Sequence, residues 1–292
     1  MLYDLSLHMG YVYDVAASGA HHIVRLLPKS LPDRQRLIAG SLQISPKPDE
    51  TAAFTDFFHH GATYIHLRAP HEQLDIRMQA RVMMQALPLT ADLTPLLAEL
   101  PEQLRAYWTL DPDSPHHFIG PSPRAQEAPE IAEYAQKCIK PGLTVRQIAE
   151  TVCRQIHSDF AFDSEATTVD TPAREAFKLK RGVCQDFTHI MIIALRSLGI
   201  PAGYVSGFLR TIPPPGQERL EGADAMHAWV RIWCGVGGWI ELDPTNNIPA
   251  GTDHVVVAYG RDYSDVAPVI GVLKSYGSHT TVQAVDVVPV KA

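Results

Sequence analysis

Apolar and polar positions alternate along residues 74–84: Leu74, Ile76, Met78, Ala80, Val82 and Met84 interleave with Asp75, Arg77, Gln79, Arg81 and Met83. Successive side chains of a strand point to opposite faces, so this pattern predicts a strand with one face in a core. Shorter stretches at 22–26 and 63–67, bounded by Gly19, Pro28, Gly61 and Pro70, read the same way. With no strong helical period before residue 85, the opening third predicts an antiparallel β domain. Eight prolines then fall within 88–129. Each lacks an amide donor and clashes with a preceding helical turn, so this stretch predicts a boundary with at most a short helix over 93–107.

Beyond residue 129 the period changes. Thr144 and Gln147 form a T-x-x-Q capping box ahead of Val145, Ile148, Ala149, Val152 and Ile156, an amphipathic helical stripe. Thr171-Pro172 has the chemistry of a helix start, with Gly182 placed to end that helix. A second stripe, Phe187, Ile190, Met191, Ala194, Leu195 and Leu198, runs into Gly199 and Pro201 as stop signals. This puts Cys184 in the first turn of a helix. Strands are predicted at 204–209, 228–234, 239–242, 255–259 and 282–288, with Gly235-Val236-Gly237-Gly238 as a hairpin loop between the second and third. The expected class is α+β. A β domain with its Pro-rich linker occupies 1–125, and helices followed by an antiparallel sheet occupy 126–292.

Composition narrows the picture only modestly. The chain has 292 residues, 46% hydrophobic and 20% charged, which fits folded globular domains rather than disorder. A formal charge of −7 offers no broad cationic footprint, so nucleic acid is not an expected partner. No apolar run is long enough to span a membrane, and the first residues lack a basic and then apolar leader. Four cysteines, at 138, 153, 184 and 234, are far apart with no CxxC; they suggest a reducing, cytoplasmic location rather than a disulfide framework.

One of these cysteines is placed for chemistry. A thiolate is the reactive form, and a helix N-terminus with a neighbouring imidazolium favours it. His227 stands at the start of one predicted strand and Asp243 at the end of the next. A hairpin brings those two points to the same open end, where base and orienting carboxylate could face Cys184. Counting back from the glycine loop leaves His227 about three residues beyond Asp243, a gap that calls for a bulge or a distorted loop. The same residue types also serve as packing groups, so this spacing leaves both readings open; Cys138, Cys153 and Cys234 read as packing. Asp186, His189 and His254 read as hydrogen-bonding anchors. The His-His pairs at 21–22, 59–60 and 116–117 lack a further ligand at helical spacing and read as surface or strand positions.

Three ordered segments, Gly182-Val183-Cys184-Gln185-Asp186-Phe187-Thr188-His189, Asp224-Ala225-Met226-His227-Ala228-Trp229 and Trp239-Ile240-Glu241-Leu242-Asp243-Pro244-Thr245-Asn246-Asn247, resemble bacterial transglutaminase-like proteins. The likeness extends over 200–207, the Pro213-Pro214-Pro215-Gly216 loop, 253–263 and the N-terminal β region. It implies a papain-like transglutaminase core in which Cys184 is nucleophile, His227 base and Asp243 orienter, with Gln185, Asp186, His189 and Trp229 supporting the site. The implied activity is acyl transfer by a peptidase or amidase on a peptide or protein substrate, with no cofactor or metal. Amine-accepting transglutamination and a non-catalytic peptide-binding scaffold are the alternatives. The calcium-binding and immunoglobulin-like domains of animal transglutaminases have no counterpart here, which favours hydrolysis. Those enzymes also use an upstream tryptophan as an oxyanion donor; the one upstream tryptophan, Trp108, lies in no matching motif. Relatives are often encoded beside ATP-grasp peptide ligases, so such a ligase is a partner implied by the resemblance.

Overall fold

The computed structural model describes residues 1–86, 92–211, 222 and 224–290; the Pro213-Pro214-Pro215-Gly216 loop and Pro88 lie outside them. Five strands come first: β1 (Leu2–Val24), β2 (Gln35–Ser45), β3 (Glu50–Thr55), β4 (Gly61–Leu67) and β5 (His71–Met84). The alternating apolar residues of 74–84 all lie on the buried face of β5. Opposite them, Leu5, Leu7 and Met9 of β1 face Ala80, Met78 and Ile76. β1 is far longer than the short strand expected at 22–26 and carries four ladders, two along each half. Its first half pairs with β5 and its second with β4, with the register shifting between Val12 and Ala17.

Next come α1 (Leu100–Ala106), α2 (Pro129–Gln136), α3 (Val145–Asp159), β6 (Ala161–Phe162), α4 (Ala173–Leu179), β7 (Arg181–Gly182) and α5 (Cys184–Ser197). The helix α1 falls inside the window left open among the prolines. At α3 the capping box forms as expected: Thr144 Oγ1 accepts the Gln147 amide at 3.3 Å, and Gln147 Oε1 accepts the Thr144 amide at 3.1 Å. Helix α4 does not run to Gly182. It stops at Lys180, which takes the left-handed conformation at φ 55°. Helix α5 is not one-sided either. Every residue from Asp186 to Leu195 is buried, Ile192 and Ile193 included, because α5 lies between the sheet on one side and α2, α3 and α4 on the other.

The remaining elements are β8 (Ala202–Leu209), β9 (Ala225–Trp233), β10 (Trp239–Asp243), β11 (Ile248–Pro249), β12 (His254–Gly260), α6 (Tyr263–Val266), β13 (Val269–Lys274) and β14 (His279–Pro289). A five-stranded antiparallel sheet runs β11-β10-β9-β8-β12. The expected class, α+β, is what the chain adopts. One strand lies elsewhere than its sequence position suggests. Residues 282–288 follow the core helices and strands, but as part of β14 they pair with β1 from Tyr3↔Pro289 to Tyr13↔His279, and β13 pairs with the second half of β1. The first sheet is therefore built from both ends of the described chain. Among the described residues, no helix is long and apolar enough to cross a membrane.

Candidate active site

Cys184 opens α5. The residue before it, Val183, is extended (φ −111°, ψ 179°) and donates its amide to the Asp186 carboxylate at 2.8 Å, so a side chain at N3 reaches back to close the helix start. Asp186 also accepts the Thr167 hydroxyl at 2.6 Å. Burial raises the Asp186 carboxyl, and these two donors oppose that rise. Gly182 is required by close approach, since a Cβ there would lie 2.4 Å from Asp186 Oδ2. Gln185 donates to the Val169 carbonyl at 3.0 Å, fixing the segment ahead of α4 beside the cysteine. All four cysteines are free thiols, and Cys184 alone is not fully buried. Burial pushes the thiols of Cys153 and Cys234 up to about 12, which leaves them protonated. Cys153 nevertheless touches the site, its thiol 3.5 Å from the carbonyl of Asp243.

The hairpin of β9 and β10 supplies the other two groups. Its ladder runs from Trp239↔Trp233 to Leu242↔Val230, because Cys234 belongs to the turn and donates its amide to Gly238. That single residue of turn brings Trp229 opposite Asp243, so His227 lies two positions beyond rather than three, and no bulge is needed. A long side chain spans the diagonal: His227 Nε2 lies 2.8 Å from Asp243 Oδ2. The Cys184 thiol is near enough to the same imidazole to raise its pKa. With Nε2 committed to Asp243, Nδ1 is the nitrogen left for the sulfur. Burial disfavours the imidazolium, but the bond to Asp243 and the neighbouring Cys184 outweigh it and hold His227 well above its ordinary pKa. Asp243 is buried too, and its donors hold its carboxyl far below the usual range.

Asp243 is saturated with donors. Its Oδ2 meets His227, His254 at 3.2 Å and the Asn246 amide group at 2.7 Å, while its Oδ1 accepts the backbone amides of Thr245 and Asn246. His254 Nδ1 accepts the Gly251 amide, which leaves Nε2 as the protonated nitrogen facing the carboxylate. Potential ligand atoms of His227, Asp243 and His254 lie within 4.8 Å of one another, the one such group among the described residues. Five N–H donors account for this cluster without a metal.

One rung further down, the diagonal repeats. Trp229 Nε1 donates to Glu241 at 2.6 Å, as His227 engages Asp243. Glu241 also accepts Tyr259 Oη at 2.8 Å and both guanidinium nitrogens of Arg34, which arrives from the first sheet beside β2. Trp229 stacks on His227 (centroids 6.1 Å apart, 27° between planes) and meets His254 edge-on at 5.1 Å. Glu241, Tyr259, Arg34 and Asn246 carry no role in the sequence reading. Glu241 had a legible signal, since it stands two residues before Asp243 in a strand and so shares its face. Arg34 had none, being a contact between distant segments.

His189 accepts the Tyr263 amide at 3.2 Å at the start of α6, and burial pushes its pKa down to about 4. The His59-His60 pair is not simply a surface feature. His60 is buried, accepts the Tyr259 amide at 2.8 Å, and is likewise pushed down to about 4. His22 is buried as well. Trp108 is 90% exposed.

Family models match two stretches of the chain: the transglutaminase-like superfamily over residues 131–244, and the bacterial transglutaminase-like N-terminal region over residues 3–83. An uncharacterized protein of Mycobacterium tuberculosis is 33% identical over 270 residues, covering 88% of this chain and 83% of its own. A protein-glutamine gamma-glutamyltransferase of Pseudomonas aeruginosa is 32% identical over 104 residues, 35% of this chain and 16% of its own. Among solved structures, a candidate cysteine protease from Cytophaga hutchinsonii superposes over 100% of this chain and 92% of its own, with a TM-score of 0.76 at 20% identity.

Proposed function

The chain belongs to the transglutaminase-like superfamily, with the bacterial N-terminal region of that family ahead of its core, and from that premise we propose that it is a cysteine-dependent acyl-transfer enzyme cleaving a peptide or isopeptide bond. The observation that carries this reading is the imidazole of His227 bonded to Asp243 Oδ2 at 2.8 Å, with the Cys184 thiol at the head of α5 near enough to raise its pKa. Cys184 gives its proton to His227 and attacks the substrate carbonyl. The oxyanion forms near the Cys184 backbone amide, one of the amides that a helix start leaves unpaired. His227 then protonates the leaving amine and a thioester remains. Water, deprotonated by His227, attacks the thioester, releasing the acid and regenerating the thiol. Asp243 keeps its charge throughout and fixes the imidazole's orientation.

Water as the final acceptor agrees with the description of the Cytophaga protein as a candidate protease. The partial match to a gamma-glutamyltransferase supports a second reading in which an amine resolves the thioester. Incubating the full chain with a glutamine- and isopeptide-containing peptide library, with and without a primary amine, separates the two. Hydrolysis yields acid and released amine, whereas transfer yields the new amide. No turnover of any library member, with Cys184 alkylated no faster at neutral pH than a free thiol, would sink both.

A further inference from the structure

We propose that Arg34 of the N-terminal region is a positioning residue for the acyl-transfer site, acting through Glu241 and Trp229 on His227. This rests on the catalytic reading of Cys184, His227 and Asp243 given above. The chain of contacts is continuous. Arg34 grips both oxygens of Glu241, side chains 14% and 7% exposed, so little solvent is left to satisfy the Glu241 charge. The remaining capacity of its oxygens goes to Trp229 Nε1 and Tyr259 Oη. Trp229 is 0% exposed and presents its face to His227 and its rim toward His254, the two imidazoles on Asp243 Oδ2.

Val205, Val256 and Tyr259 pack with the buried indole. Across the ladder from His227 stands Gly207, where a Cβ would meet the Trp229 ring at 2.5 Å and the Val255 carbonyl at 2.1 Å. The indole is therefore seated against backbone, and its rotation about that seat is set by the hydrogen bond to Glu241. Glu241 and Asp243 are alternate residues of one strand on one face, so the grip on the first also fixes the strand that carries the second. Neighbouring contacts pull the same way. Gln35, next to Arg34, donates to the Val256 carbonyl at 2.7 Å and accepts the Val256 amide at 2.8 Å, along the edge of β12 that β8 leaves open. His60 takes the Tyr259 amide on that same strand. The first sheet thus holds β12, with His254 at its start, and β10, with Asp243 at its end. A planar fork satisfying two carboxylate oxygens is a task for arginine; lysine restores the charge without the two-point geometry.

The experiment uses the full chain and iodoacetamide as probe, reading the rate of Cys184 alkylation against pH by peptide mass spectrometry for wild type, R34M, R34K and the double variant R34M/E241Q. The double variant removes the buried charge pair together, so it keeps the fold testable if R34M alone leaves Glu241 uncompensated and unfolds. Expected for R34M and R34M/E241Q is a fall of at least about tenfold in the neutral-pH rate, with the pH profile displaced from that of the wild type. R34K should recover part of the loss. A purely structural role would lower the melting temperature and leave the profile in place. A folded double variant with the wild-type profile overturns the proposal. A wild-type Cys184 that reacts no faster than a free thiol overturns the catalytic reading instead, which keeps the two failures distinct.

Discussion

A carboxylate with five N–H donors does not behave like a surface aspartate, and the effect passes from Asp243 to the imidazole beside it. Asp243 stays ionised and raises His227, so the imidazolium persists well above the ordinary histidine value of about 6.5. Activity carried by that imidazolium is present below the raised value and is lost as pH rises through it. D243N should cut kcat by on the order of 10^3–10^4 and move the alkaline limb of its pH profile down toward 6.5. An unmoved limb would show that another group sets it. C184A should abolish turnover, a loss of at least about 10^3-fold, while leaving the far-ultraviolet circular dichroism unchanged. Cys184, His227 and Asp243 were legible because their chemistry comes in ordered segments. The donors around them were not. Asn246 and His254 reach Asp243 through side-chain directions that a turn and a strand start impose, which no spacing rule encodes.

The hairpin of β9 and β10 shows how one residue of turn decides an active site. Counting from the glycines alone misplaces His227 by one position, because Cys234 closes the turn with Gly238 instead of extending the strand. Alternation was legible in β5, where the buried set matches the apolar set throughout. It was not legible in α5, which is buried on both sides by other elements, nor in the length of β1, which four ladders share. Gly207 gives this scale its test. G207A forces a methyl into the Val255 carbonyl and the Trp229 ring, which should destabilise the protein by about 1–3 kcal/mol, the usual range for overpacking. It should also displace the indole, so catalysis should fall by more than the loss of folded protein explains. Urea unfolding together with kcat on the same preparation checks both parts, and a neutral outcome in both would contradict the packing described.

At the scale of the whole molecule, His60 and His189 link acid stability to the way the parts are held together. Each is pushed down to about 4 because burial disfavours its cation. In the unfolded chain both titrate near 6.5. Their contribution to stability is present above 6.5 and is lost as pH falls from there through about 4, where unfolding takes up a proton at each. The slope should approach about 1.4 kcal/mol per pH unit per histidine. Urea midpoints between pH 4.5 and 6.5 measure it. H189Q and H60Q should each flatten the dependence, and an unchanged slope in both would assign the acid sensitivity elsewhere. The passage from a β region to helices was legible from the change of period after the prolines, while the return of β13 and β14 to the first sheet was not, since strand partners hundreds of residues apart leave no local trace.

That return sets a condition on biosynthesis. β1 needs β14 along the edge of its first half and β13 along that of its second, and contacts such as Ser275 Oγ to the Val15 carbonyl join residues 260 positions apart. Loops this long close slowly, and β1 waits with that edge bare until most of the chain has left the ribosome. Polypeptides released before residue 279 would carry the nucleophile, the histidine and the aspartate yet lack the strand that completes the first sheet, from which Arg34 reaches Glu241. Assembly of the proposed acyl-transfer site is thereby tied to the synthesis of β14, so chains terminated before it should be recovered as inactive, protease-sensitive material.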